Sequence, residues 1–361
     1  MPDPNIITNV DLKNPQHLLS LVKAAPEEPN FLLNRYFPCN PETDIFPTRK
    51  VLIEYNSTNQ KKAPFMKRGT KTSTRDTYIT DEFTPARISV GRELTLDDLA
   101  QKGFGEALFS GMTPEQRAAI IHMADFADLK NRCKRTLEKM AADCMLDNAY
   151  TAKYEDTTSG EEITLSFNDG EGVDTAYTPA AKWDASGANI YGDIKAMARM
   201  IRSNGCAATD LILGADAADL ITANPDIQKL MDIRRYEIGT IEPKIVGGNE
   251  NVVLVGLINV DGVKLNLIQY SGAYEDEQSG LLVPYVPANK VIMTAPGCGK
   301  SLFAAITQLE ADEMHHTHRA MFVPKYLGDR ENDIRKFQLQ SAPLLIPRVK
   351  KCWASATVID A

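Results

Sequence analysis

The sequence predicts an α+β protein: one very long helix with antiparallel strands beside it, a separate compact unit of helices and mixed sheet, and an extended hairpin arm. Three observations predict it. Residues 113–147 run without an internal Gly or Pro beyond Pro114 and carry Phe126, Leu129, Cys133, Leu137, Met140 and Cys144 at spacings of three or four, which is one apolar helical stripe. Residues 190–300 mix helical periodicity with short β-branched runs. Residues 49–96 have two strand-like flanks around a polar, basic middle.

The long helix has its own start signal: Thr113 at the N-cap, Pro114 at the first helical position and Gln116 completing a capping box. At 1.5 Å per residue it is a rod of roughly 50 Å, several times an average helix. Lys130, Arg132, Lys134, Arg135, Glu138, Lys139 and Asp143 are expected on its other faces.

Upstream, an amphipathic segment from His17 to Ala25 sits between Pro15 and Pro26. The aromatic cluster Phe31, Tyr36, Phe37 and Phe46 then leads into Val51, Ile53 and Tyr55, which alternate as a strand does. Residues 56–75 differ in kind, because Lys61, Lys62, Lys67, Arg68, Lys71 and Arg75 meet no acidic residue and Phe65 and Met66 are the only bulky apolar side chains. Strand-like alternation returns at Ile88, Val90, Leu94 and Leu96. The flanks and middle suggest a hairpin arm of about 45 residues, and a two-stranded ribbon is marginal in water unless it lies on something. A neighbouring subunit is the natural candidate. Contact with an acidic surface there is favoured over nucleic acid, since no aromatic pattern or binding motif accompanies the basic run.

Downstream of the helix, residues 150–169 read as strand–turn–strand with Gly160 in the turn, and a Gly-, Pro- and Thr-rich loop reaches Trp183. IYGDIKAMARMIRSNG is an amphipathic helix ended by Asn204 and Gly205, and DLILG is a short buried strand. Residues 215–235 form one or two helices interrupted at Pro225. NVVLVGLINVDGVKLNLIQYSG is a hairpin turning at Asp261–Gly262, and NKVIMTAP is a further strand. The segment RKFQLQSAPLLIPRVKKCWASATV is strand-like, with bends at Pro343 and Pro347.

A net charge of −8 argues against a protein that coats nucleic acid through its overall charge. Six cysteines with no CxxC pair read as reduced thiols of a protein made in a cytoplasm, and no signal peptide or run of about 18 apolar residues is present. The most tempting chemical string is Ala295-Pro296-Gly297-Cys298-Gly299-Lys300-Ser301, nearly a phosphate-cradling P-loop, which makes a nucleotide hydrolase the alternative function. Thr294 stands where that motif needs its first Gly, and no later apolar strand ends in an acidic magnesium ligand, so a Gly-rich turn between strands is the better reading. His315, His316 and His318 beside Glu310, Asp312 and Glu313 read as an exposed polar loop without metal-ligand spacing. No catalytic, cofactor or metal residue is assigned.

The order FLLNRYFP, FPTRKVLIEY, DEFTPARISVGRELTL, AADCMLDNAYTAKY, Trp183, DLILGADAADL, LNLIQYSGAY, VPYVPANKVIMTAPG and QSAPLLIP resembles the major capsid proteins of lambda-type tailed bacteriophages, the phage capsid protein E family. That resemblance implies the Hong Kong 97-type capsid fold. Residues 1–48 would be the N-terminal arm and start of the peripheral domain, and 49–96 the extended arm. Residues 97–189 would be the peripheral domain with its spine helix 113–147, 190–300 the axial domain, and 301–361 a return to peripheral strands. It also implies self-assembly through hexamers and pentamers into an icosahedral head, and partners of the scaffolding, portal and decoration kinds. The scaffold would be a separate protein, because the N-terminal segment is too short for a fused one. Packaged DNA would be touched only non-specifically, and no cofactor or membrane enters. The arm side chains Lys61, Lys62, Phe65, Met66, Lys67, Arg68, Lys71 and Arg75 become the candidate inter-subunit contacts.

Overall fold

The computed structural model describes residues 28–55, 79–94, 114–154, 162–168, 170, 172–231, 239–240, 244–246, 249–276, 279–310, 313–329 and 334–360. The expected Thr113 cap, the His17–Ala25 segment and the Gly160 turn lie outside them.

The helix Pro114–Asp147 runs 34 residues and stops where Asn148 adopts φ 51°, the left-handed conformation in which a short polar side chain can end a helix. The expected stripe is buried at Phe126, Leu129, Cys133, Leu137 and Cys144, with Met140 partly buried against the same core. The solvent faces are narrower than expected. Lys130, Lys134 and Glu138, which the pattern assigns to polar faces, are buried as well, and so is Asp125. The reason is that the helix is covered from several sides: by the short helix Phe31–Tyr36, by the strands Ile88–Leu94, Ile334–Ser341 and Pro343–Pro347, and by the strand Ala354–Thr357. Arg92 meets Asp125 at 3.1 Å from one of these strands.

Among the described residues the largest sheet has eight strands, and its middle is the strand Asp210–Leu213. That strand pairs parallel with Val263–Tyr270 and antiparallel with Lys290–Thr294. Outside Lys290–Thr294 lies Ala354–Thr357, followed by the two-residue strand Ala176–Tyr177. On the other side Val263–Tyr270 pairs with Asn249–Val260 through the expected Asp261–Gly262 turn.

Side-chain alternation along these strands separates two cores. Ile212, Ile268, Tyr270 and Ile292 point into the core shared with the long helix. Leu211, Leu213, Leu267, Val291 and Met293 point into the other, where they meet Ile190, Ile194, Met197 and Ile201 of the helix Ile190–Ser203. A sheet buried on both faces needs continuous apolar runs, and DLIL and VIMT supply them. Two helices, Ala215–Ala223 and Pro225–Met231, follow the middle strand and are split at Pro225 as expected.

A Leu137→Asp substitution places a charge at a site with no solvent exposure. It is expected to cost more than about 4 kcal/mol and to leave the protein in the insoluble fraction, measured by soluble yield against wild type.

Candidate functional site

Two buried carboxylates fasten the segment Asn30–Phe37 to the rest of the subunit. Glu138, midway along the long helix, accepts N–H bonds from Phe31 (3.1 Å), Leu32 (2.7 Å) and Leu33 (2.9 Å), and the Tyr270 hydroxyl donates to it at 2.9 Å. These three N–H groups are the orphan donors that open the helix Phe31–Tyr36, and Asn30 offers no side-chain cap of its own. One helix thus caps another through an acidic side chain distant in sequence. Burial raises the Glu138 carboxyl above its ordinary value, while the Leu33 and Leu32 N–H groups, the Tyr270 hydroxyl and the Phe31 N–H pull it back.

The second carboxylate, Asp210, begins the middle strand of the large sheet and has no solvent exposure. It accepts from Arg35 Nε at 2.6 Å, from the Tyr36 hydroxyl at 3.0 Å and from Asn266 Nδ2 at 2.7 Å. Burial and then the Asp210 charge push the Tyr36 hydroxyl well above its usual value, which keeps it a donor. The sequence pattern signals neither role: Glu138 reads as one more surface charge, and Asp210 as the polar lead-in to an apolar strand.

The near-P-loop has a different use. Gly297 takes φ 69° in a turn, and its N–H donates to the Arg35 carbonyl at 3.0 Å. A phosphate-binding loop opens a helix, whereas here Gly299–Phe303 is a strand paired antiparallel with Pro343–Pro347. A Cβ at Gly299 would lie 2.3 Å from the Phe37 ring, so this glycine serves close packing. Lys300 Nζ lies 3.4 Å from Asp44 Oδ1, and the buried Ser301 hydroxyl donates to the Phe37 carbonyl at 2.8 Å. Both side chains that would hold phosphate instead hold residues 37–44, which overturns the hydrolase reading and matches the turn between strands. Lys300→Ala breaks a half-exposed pair and is expected to cost less than about 1 kcal/mol; Ser301→Ala should cost about 1–2 kcal/mol. Urea unfolding of the two variants measures both.

The histidine cluster is a strand, correcting the expected loop. His315–His318 pairs with Ile306–Leu309 in a hairpin turned by Glu313 at φ 61°. His318 Nε2 contacts Glu310 Oε1, and the Thr307 and Thr317 hydroxyls meet across the strands. No group of three or more metal-ligating side chains is assembled among the described residues.

The arm is described at its base. Val51–Tyr55 pairs antiparallel with Ile79–Phe83 in a sheet of two strands, from Val51 opposite Phe83 to Tyr55 opposite Ile79. After Pro85 the chain turns to Ile88–Leu94, which pairs with Ile334–Ser341 and not with Val51–Tyr55. The contact candidates Lys61, Lys62, Phe65, Met66, Lys67, Arg68, Lys71 and Arg75 lie outside the described residues. Other surface apolar groups stand at hairpin ends: Leu281 and Leu282 are 66% and 75% exposed and Met314 62% exposed, none of which the pattern singles out.

The polar side chains described above hold distant segments together. A crystal structure of a capsid-protein candidate from a prophage of E. coli CFT073 has the same fold, at TM-score 0.66 and 16% identity over 96% of this chain and 99% of that one. A phage-related protein from Bordetella bronchiseptica RB50 matches at TM-score 0.50 and 12% identity, covering 95% and 97% of the two chains. No curated protein matches by sequence. The family model for phage major capsid protein E matches residues 14–358. The chain belongs to that family, and its role is that of a structural shell protein of a bacteriophage head.

Proposed function

We propose that many copies of this chain assemble, as hexamers and pentamers, into an icosahedral head around the phage genome. The subunit would follow the Hong Kong 97-type division: residues 1–48 as N-terminal arm, 49–96 as extended arm, 97–189 and 301–361 as peripheral domain, and 190–300 as axial domain. The observation that carries the reading is that the chain has both a long, multiply fastened helix and a two-stranded ribbon formed by Val51–Tyr55 and Ile79–Phe83. A stiff beam keeps one geometry in every copy, and a ribbon that is marginal alone gains stability by lying on a neighbour. Its basic middle suits an acidic surface, which a chain of net charge −8 offers on other copies of itself.

Synthesis in the host cytoplasm, with separate scaffolding, portal and decoration proteins, fits this reading, as does non-specific contact with packaged DNA. No helix among the described residues is long and apolar enough to cross a membrane. The test is co-expression with the phage's own scaffolding protein, viewed by negative-stain electron microscopy. Shells are expected; discrete small oligomers alone would point to another virion component.

A further inference from the structure

Cys144, Cys206, Cys298 and Cys352 come from distant parts of the sequence and all pack in or against the core shared with the long helix. Two of them are in direct contact. The Cys352 thiol donates to the Cys298 carbonyl oxygen at 3.4 Å. Cys298 stands in the turn that holds the Arg35 carbonyl, and the Arg348 N–H donates to its own carbonyl at 2.8 Å. Cys352 is buried next to Trp353, whose ring packs on Phe37. We propose that Cys298 and Cys352 are the site of an oxidant-driven disulfide that fastens the turn 295–299 to the segment leading into Ala354–Thr357.

The two thiols differ in the way the reaction needs. Cys298 is half-buried, and the neighbouring Cys352 thiol, together with the Arg348 charge, brings its pKa down to about 6 against the opposing effect of burial. Cys352 is pushed up, chiefly by burial. A low-pKa, accessible thiol attacks first and a neighbouring thiol resolves.

With a small disulfide such as oxidised glutathione, the Cys298 thiolate attacks one sulfur, and the first glutathione leaves as thiolate and takes up a proton. The Cys352 sulfur then attacks Cys298 in the mixed disulfide. The second glutathione leaves with the Cys352 proton. Two protein thiols are oxidised, one glutathione disulfide is reduced to two thiols, and the S–S bond joins positions 54 apart. Inside a reducing cell the pair stays open; after release into oxidising surroundings it closes.

The test treats the purified full chain with oxidised glutathione, traps remaining thiols under denaturing conditions and maps peptides by mass spectrometry. Four of the six thiols should still alkylate, and a 298–352 linked peptide should appear. The melting midpoint should rise by about 5 °C or more, and reductant should reverse the rise. Cys206→Ser should leave the cross-link intact, whereas Cys352→Ser should stop the reaction at a glutathione adduct on Cys298. Six alkylated thiols, a 206–298 linkage, or an adduct on Cys298 that persists in the wild-type chain would each overturn the proposal. The wild-type peptide map decides it even if a serine variant folds poorly.

Discussion

Deletion of residues 56–75 is expected to abolish shells while leaving a folded subunit. The deletion removes Lys61, Lys62, Phe65, Met66, Lys67, Arg68, Lys71 and Arg75 together and leaves Asp76, Thr77 and Tyr78 between the paired residues Tyr55 and Ile79. Three residues suffice to close a hairpin, so the base of the arm survives. Circular dichroism and the urea midpoint should stay near wild type, while negative stain of the co-expressed material should lack shells. A normal yield of shells from this variant would remove the arm from the assembly mechanism. Neutralising the six basic residues while keeping Phe65 and Met66 separates the electrostatic share from the apolar one, because the electrostatic share alone should weaken as salt rises.

Glu138→Ala is expected to be the most damaging single truncation of a polar side chain in the subunit. It leaves three buried N–H groups and the Tyr270 hydroxyl without their acceptor. With each such group worth about 1–3 kcal/mol when stranded, and partial relaxation, the total loss should be about 4 kcal/mol. Glu138→Gln keeps one acceptor oxygen and should lose clearly less. Urea unfolding compares the two, and equal losses would mean that side-chain volume, and not the acceptor, matters at this site.

The elements that announced themselves in the sequence are those whose periodicity is local. The stripe from Phe126 to Cys144, the DLIL strand, the Asp261–Gly262 hairpin and the split at Pro225 each follow from residues a few positions apart, and each is present. What the pattern hides is long-range. Glu138 and Asp210 look like ordinary charges until residues 31–36 arrive more than 100 positions away in sequence to meet them. The same holds for Ile88–Leu94, whose alternation marks a strand but does not name Ile334–Ser341 as its partner. The near-P-loop is the reverse case: a locally suggestive string whose meaning is decided by Asp44, Phe37 and a facing strand. The exposed pair Leu281 and Leu282 has no local signal, since two leucines beside a glycine read equally well as core.

The place of Ala354–Thr357 within the large sheet also sets a clock. This strand lies between Lys290–Thr294 and Ala176–Tyr177, and the Ser355 hydroxyl reaches back to the Leu146 carbonyl at the end of the long helix. Every one of these neighbours leaves the ribosome earlier. The sheet therefore waits, with a gap beside Lys290–Thr294, until a stretch made more than 60 residues later arrives to close it. Such distant closure is slow compared with helix formation, and it delays completion of the long helix's own surroundings. A half-made chain lacks the strand that closes this sheet and the hydroxyl that meets the end of the long helix.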